Sequence, residues 1–443
     1  MPCNEYFLRL LSSRFTFSKK KNMAKKQQDF IKKIFEASEN IECDLRALSG
    51  VCLDDEEIEL EVPAANDLEN NVQESRENKP REFIRGFEFA KGVTFVQDND
   101  LSACVRKMAR EWIILESKRA MEFDKFPGAT PISMSRDNIQ LLCDVFVVSW
   151  KADGTRYLMA ILERDQVYCI GTACDVFLIE GLTFPRANSL GDHFTNVLLD
   201  GEMVLDLIDG EKVPRFLVFD VIQVGNERVG DYDFRTRSLF LQKRIFGPRQ
   251  EAIEKGMINE QKQPFLLSQK ESFEIGNTKH LVENGAFLSK IAHKTDGLIF
   301  QRASGKKAYY RNGRHRNWNN SSILKWKPQE LNSIDFKLNL QYDAHQTQNL
   351  SKTQALLYVS GEDKPYGQME FHEELIPLNN KIIECSYDFE EMSWVFIRER
   401  EDKSWPNYVT VADSICKTIE SPVTKNDLLQ APVIIQIINY NLQ

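Results

Sequence analysis

The stretch Ser149-Trp150-Lys151-Ala152-Asp153-Gly154-Thr155-Arg156 constrains this chain more than any other. It sets a lysine at the end of one apolar run, Val145 to Trp150, then a small-residue turn and a second apolar run, Tyr157 to Leu162. Short apolar runs bounded by turn residues read as strands. A lysine ending a strand is usually a solvated cap. Partly desolvated or set among other cations, however, it sheds its proton readily, and the neutral amine can attack carbonyl or phosphoryl centres.

At 443 residues the chain exceeds one ordinary core, so two domains plus irregular segments are expected. The formal charge of −9 is unevenly placed, with a basic first 50 residues followed by an acidic tract from Asp54 to Glu61. A sequence pI near 5.5 therefore leaves room for a nucleic-acid partner in a local basic cleft. Nine cysteines without a CxxC pair, and no histidines grouped near Cys169 and Cys174, read as reduced structural thiols and not as a zinc site. No apolar run reaches membrane-spanning length and no leader-like segment opens the chain, so no membrane partner is expected.

Taken in order, residues 1–82 read as a poorly ordered arm and linker, with one amphipathic helix from about Gln27 to Phe35. Helical spacing begins around Gly92 and runs to Trp112. From 145 to 230 the pattern is strand and hairpin, with Asp209-Gly210 a type I′ turn between Met203–Leu207 and Arg215–Val221. A helix is expected from about Asp233 to Phe246, with Arg235, Arg237, Lys243 and Arg244 on a basic face, and then a polar, Gln/Lys-rich segment near 250–265. Strands return at Gly297–Gln301 and Ile323–Lys327, around a basic aromatic loop, Lys306 to Arg316, suited to a phosphate backbone. Beyond Pro328, short runs at Ile334–Leu340, Ala355–Val359, Lys381–Cys385 and Trp394–Arg398 suggest a small barrel closed by a helix from Val409 to Ile419.

Five further segments accompany the lysine: Leu199-Asp200-Gly201-Glu202-Met203, Phe216 to Asp220, Thr295-Asp296-Gly297-Leu298-Ile299-Phe300, Leu324-Lys325-Trp326-Lys327, and Arg398 to Asn407. Each alone has a bland reading, such as a turn, an edge lysine or a solvated charge run. Together they supply one nucleophile, two or three acids for a metal or a ribose, and at least four cations for a triphosphate, which is the equipment of nucleotidyl transfer. Strand periodicity puts Lys325 and Lys327 on one face.

The set KADGTR, LDGEM, TDGLIF, LKWKP and RERxDKSWPN resembles the guanylyltransferase portion of metazoan mRNA capping enzymes, within the covalent nucleotidyltransferase superfamily, over about residues 83–425. The resemblance implies an α+β architecture. A ligase-like nucleotidyltransferase domain of antiparallel sheets with flanking helices (83–328) would precede an OB-fold (329–425) and a tail (426–443). It implies that Lys151 forms a covalent GMP adduct from GTP and passes it to the 5′-diphosphate end of RNA. Arg156 and Glu202 would position ribose or phosphate, Phe219 would stack the guanine, and Asp296 would hold Mg2+ or Mn2+. Lys325 and Lys327 would grip the α-phosphate region, while Arg400, Asp402 and Lys403 would reach the β and γ phosphates. It also implies nuclear residence, docking on the phosphorylated tail of RNA polymerase II and, because no His-Cys phosphate loop occurs, a separate RNA triphosphatase. An ATP-dependent polynucleotide ligase and a non-catalytic binding module remain open at this stage.

Overall fold

The run Tyr157 to Ile161 is apolar at every position, the mark of a strand covered on both faces. In the computed structural model this strand is β4 (Thr155–Glu163), and its alternate residues divide between two cores. Tyr157, Met159 and Ile161 join a core with Phe177, Phe216 and Phe265, while Leu158 and Ala160 pack under the helix α1 (Asn99–Ile113) against Val105, Ala109 and Ile113. Each such buried side chain contributes roughly 1.5–3 kcal/mol. Residues 82–84, 87, 91–113, 126–283, 285–303, 323–341, 353–401, 403 and 405–430 are described. The expected arm and its helix, the basic loop from Lys306 to Arg316, Asp402 and residues 431–443 lie outside them.

Strand β4 belongs to a seven-stranded sheet, in spatial order β1 (Val93–Phe95), β6 (Val176–Ile179), β5 (Gln166–Gly171), β4, β9 (Val197–Ile208), β10 (Glu211–Val224) and β11 (Leu266–Gln269). A five-stranded sheet runs β12 (Phe273–Glu274), β3 (Phe146–Ala152), β13 (Thr295–Arg302), β14 (Ile323–Trp326) and β2 (Ile132–Ser133). A hairpin of β7 (Pro185–Arg186) and β8 (Ser189–His193) stands apart. Asp153-Gly154 is therefore no hairpin turn: it carries the chain from β3 in one sheet to β4 in the other. The sheets are not purely antiparallel as expected, since β10 with β11 and β14 with β2 pair in parallel at sheet edges.

The third group of strands closes a barrel in the order β15 (Ser333–Gln341), β16 (Gln354–Tyr358), β17 (Gly367–Met369), β19 (Ser393–Glu399) and β18 (Ile382–Asp388), with β17 and β19 parallel. This one-two-three-five-four closure is the OB-fold pattern. Ile334, Phe336, Leu338 and Leu340 fill it from alternate positions of β15, and Ala412 of the helix α2 (Val409–Glu420) packs on the same core. Trp326 donates its indole N–H to the Val423 carbonyl at 2.6 Å, which ties the end of β14 to the segment after α2.

The expected turn at Asp209-Gly210 is there, both residues having positive φ (51° and 86°), as a type I′ turn requires. Elsewhere the sequence misled. The segment after Gly92 begins as a strand, β1, and its helix starts only at Asn99. The segment from 234 to 254 is helical in three successive pieces, extending beyond Phe246 into the polar, Gln/Lys-rich stretch. Its supposed basic face is broken by Arg237, which is 2% exposed and grips Asp220 with Nε and Nη2 at 2.7 and 2.8 Å. Amphipathic spacing could not reveal this, because the partner lies on β10. Removing one member of a buried pair strands the other charge, at a cost of about 3–5 kcal/mol. Arg237→Leu is expected to lose that much stability in urea unfolding, and the double replacement Asp220→Leu/Arg237→Leu to recover most of it; a single-variant loss below about 1 kcal/mol would contradict the assignment.

Candidate active site

Lys151 lies on β3 beside β13, and the register there is irregular: Thr295 faces Ala152 and Gly297 faces Lys151, leaving Asp296 as the extra residue. A bulge of this kind re-aims a side chain. Here it brings Asp296 Oδ1 to 2.7 Å from Lys151 Nζ, while Asp296 Oδ2 lies 2.7 Å from Lys327 Nζ. Gly297 is required at the crossing, since at φ +152° a Cβ would sit 2.0 Å from the Trp326 carbonyl oxygen. The same device recurs on β10, where Val218 faces Gly201 and Asp220 faces Asp200. Phe219 is the residue left over, and it lines the cleft with Lys151, Arg156 and Glu202.

The cleft concentrates charge in a partly dry place. Burial would raise the Asp296 carboxyl, but Lys151 and Lys327 outweigh it and hold the group below the usual carboxylate range. Lys325 is pushed down to about 8, first by burial and then by Lys151 and Lys327; Lys403 adds to the repulsion. Glu202 is pushed up by burial, against the pull of Lys270, Lys151 and the Gly154 N–H. Lys270, which the sequence reading missed, is 8% exposed and lowered to about 8 by burial. Its Nζ sits 5.8 Å from the Phe219 ring centroid and 5.7 Å from that of Trp150. It follows a four-residue edge strand with no apolar period, so no spacing rule marked it.

Not every expected acid faces the cleft. Asp200 is fully buried and takes Arg156 Nε and Nη2 at 3.0 and 2.6 Å, while Arg156 Nη1 donates to the Ala129 carbonyl at 2.6 Å. Asp220 is held by Arg237. These two acids brace the walls and leave Asp296 and Glu202 as the carboxylates near Lys151. Arg156, so fixed, stands between the rings of Phe126 and Phe219 at 5.2 and 5.6 Å. Arg400 and Lys403 are held on the barrel by Asp335, Arg400 Nη1 at 2.6 Å from Oδ1 and Lys403 on the other oxygen. Lys403 lies near enough to the cleft to act on Lys325 electrostatically.

A hard divalent cation takes one or two protein carboxylates together with phosphate oxygens and water. Among the described residues no group of three His, Cys, Asp or Glu could enclose a metal. Asp296, with Glu202 near the same amine, fits a cation carried largely by its substrate.

The sequence that builds this cleft and barrel matches the family model "mRNA capping enzyme, catalytic domain" over residues 88–329 and "mRNA capping enzyme, C-terminal domain" over 331–429. The chain belongs to the mRNA capping enzyme family. It is 43% identical over 312 residues to the mRNA-capping enzyme of Danio rerio, covering 70% of this chain and 50% of that protein. The Mus musculus mRNA-capping enzyme is 38% identical over 349 residues, covering 79% and 55%. The mRNA-capping enzyme subunit alpha of Schizosaccharomyces pombe is 30% identical over 346 residues, covering 72% of this chain and 82% of that subunit. The chain thus spans about half the length of the first two relatives.

The capping-enzyme cleft carries a stability cost that can be measured. A lysine at about 8 when folded and at the ordinary 10.5 when unfolded favours unfolding while it is charged. The unfolded chain binds more protons between those values, so stability rises with pH from about 8 to 10.5 and the penalty is full below 8. Lys325→Met is expected to raise stability at pH 7 by on the order of 1–3 kcal/mol and to flatten that rise. Denaturation across pH 6–10 would show it, and a less stable variant would contradict the charge argument.

Proposed function

We propose that the chain is an mRNA guanylyltransferase working through a covalent lysine adduct. Lys151 Nζ attacks the α-phosphorus of GTP, forming a phosphorus–nitrogen bond and expelling pyrophosphate. The terminal β-phosphate oxygen of a 5′-diphosphate RNA then attacks the same phosphorus, displaces the amine and leaves the GpppN cap. The observation that carries this reading is the Lys151–Asp296–Lys327 cluster, an amine oriented by one carboxylate in a cleft whose remaining groups suit a nucleoside triphosphate.

The roles follow from chemistry. Phe219 offers a ring for the guanine, with Lys270 above it as a donor. Glu202 and the braced Arg156 line the ribose and phosphate path, and Lys325 and Lys327 grip the α-phosphate. Magnesium or manganese, when bound through Asp296 and phosphate oxygens, would offset the triphosphate charge. Arg400, Asp402 and Lys403 act on the β and γ phosphates when the barrel, beginning near residue 329, closes on the nucleotidyltransferase domain, so Asp335 must release its two cations as the cleft shuts. The family resemblance extends the reading to nascent transcripts in the nucleus, docking on the phosphorylated tail of RNA polymerase II, and an RNA triphosphatase activity that supplies the diphosphate end.

Incubation with labelled GTP and ATP in separate reactions tests the reading. GTP should label the chain, and label from ATP alone would instead favour a polynucleotide ligase. Lys151→Ala and Lys151→Arg should both lose the label, the second because a guanidinium stays protonated. Arg400→Ala or Lys403→Ala should slow adduct formation, on the order of a hundredfold, far more than transfer from preformed adduct to RNA. Equal loss in the two steps would place these cations in general structure.

A further inference from the structure

Next to the nucleophile runs a second polar chain that the chemistry above does not use. Trp150, the residue before Lys151, donates its indole N–H to His293 Nε2 at 3.0 Å. His293 Nδ1 lies 2.9 Å from Asp206 Oδ1, and Asp206 Oδ2 accepts from Arg215 Nε at 2.5 Å. The His293 and Asp206 side chains are only 6% and 3% exposed. An indole nitrogen can only donate. Nε2 of His293 must therefore carry the lone pair, and the ring proton sits on Nδ1 and is donated to Asp206. The bonds thus select one tautomer of a neutral imidazole.

The groups come from three stretches: Trp150 from β3, Asp206 and Arg215 from the β9–β10 hairpin, and His293 from the segment entering β13. Backbone bonds clamp the same segment, Leu207 N–H to the Ala292 carbonyl at 2.7 Å and Asp153 N–H to the Lys294 carbonyl at 2.9 Å. Residues 292–294 thus join the turn after the nucleophile to the opposite sheet, and Asp296 follows three residues after His293. On its other side the Trp150 ring backs Lys270. Apolar packing alone would leave the indole free to rock, whereas a directional chain fixes its angle.

We propose that His293, oriented by Asp206 and Arg215, is a positioning residue for the covalent step: it anchors Trp150 and the segment before Asp296 so that Lys151 and Asp296 meet in attacking geometry. The proposal rests on Lys151 being the nucleophile. Trp150→Phe keeps the ring and deletes the N–H, and His293→Leu deletes both ring nitrogens. In the full chain, both should lower the maximal single-turnover rate of adduct formation by ten- to a hundredfold, since misplacing a reacting group by about 1 Å can cost about 10²-fold. The GTP concentration for half-maximal rate should change little, and His293→Gln, which keeps a donor and an acceptor, should recover part of the rate. Unchanged maximal rates in both variants, or a loss confined to half-saturation, would overturn the proposal.

A second measurement needs neither variants nor turnover. Nitrogen-15 histidine spectra of the wild-type chain should show His293 neutral with its proton on Nδ1, and a proton on Nε2 would overturn the proposal even if every variant failed to fold. A wild-type chain that takes no label from GTP while showing this tautomer would instead overturn the guanylyltransferase reading, and the positioning role with it.

Discussion

Everything at the cleft depends on one carboxylate shared by two lysines. Asp296 pairs with Lys151 and Lys327, and its own ionised form is kept by them against the effect of burial. The contact exists because β3 and β13 are neighbours, because the ladder slips by one residue at Asp296, and because Gly297 lets the backbone pass under Trp326. The lysines whose protons are loosened most by burial, Lys270 and Lys325, flank this centre. The cleft thus concentrates cations at a cost in stability to the folded chain.

Two kinds of acid occur in the motifs, and they do different work. Asp200 and Asp220 each take an arginine through two hydrogen bonds and hold the walls, whereas Glu202 and Asp296 face the lysines. Arg400 and Lys403 are stored on Asp335 in the barrel. The barrel thus presents two cations held by one carboxylate, and one of them, Lys403, already acts on Lys325 of the cleft.

Much of this was legible in the sequence. The two-residue turn at Asp209-Gly210, the strands around Lys151 and Asp296, and the alternating runs of the barrel follow from periods and turn chemistry that act locally. What escaped had nonlocal causes. The motifs name Phe219 and Asp296, but not how they get there: each reaches the cleft on a bulge, and a period of two cannot announce the residue that breaks it. Arg237 looked like a surface cation because its partner, Asp220, lies 17 residues away on another element. Lys270 follows a short parallel edge strand in a polar stretch, where neither hydrophobic rhythm nor a motif points to it.

The most direct test is peptide mass spectrometry of the chain after incubation with GTP and magnesium, alongside a parallel sample with ATP. Four lysines stand at the cleft, Lys151, Lys270, Lys325 and Lys327. A single guanylyl group on the peptide carrying Lys151, absent from the ATP sample, is the predicted result. A guanylyl group on Lys270, Lys325 or Lys327, or an adenylyl group on Lys151 with none from GTP, would contradict it.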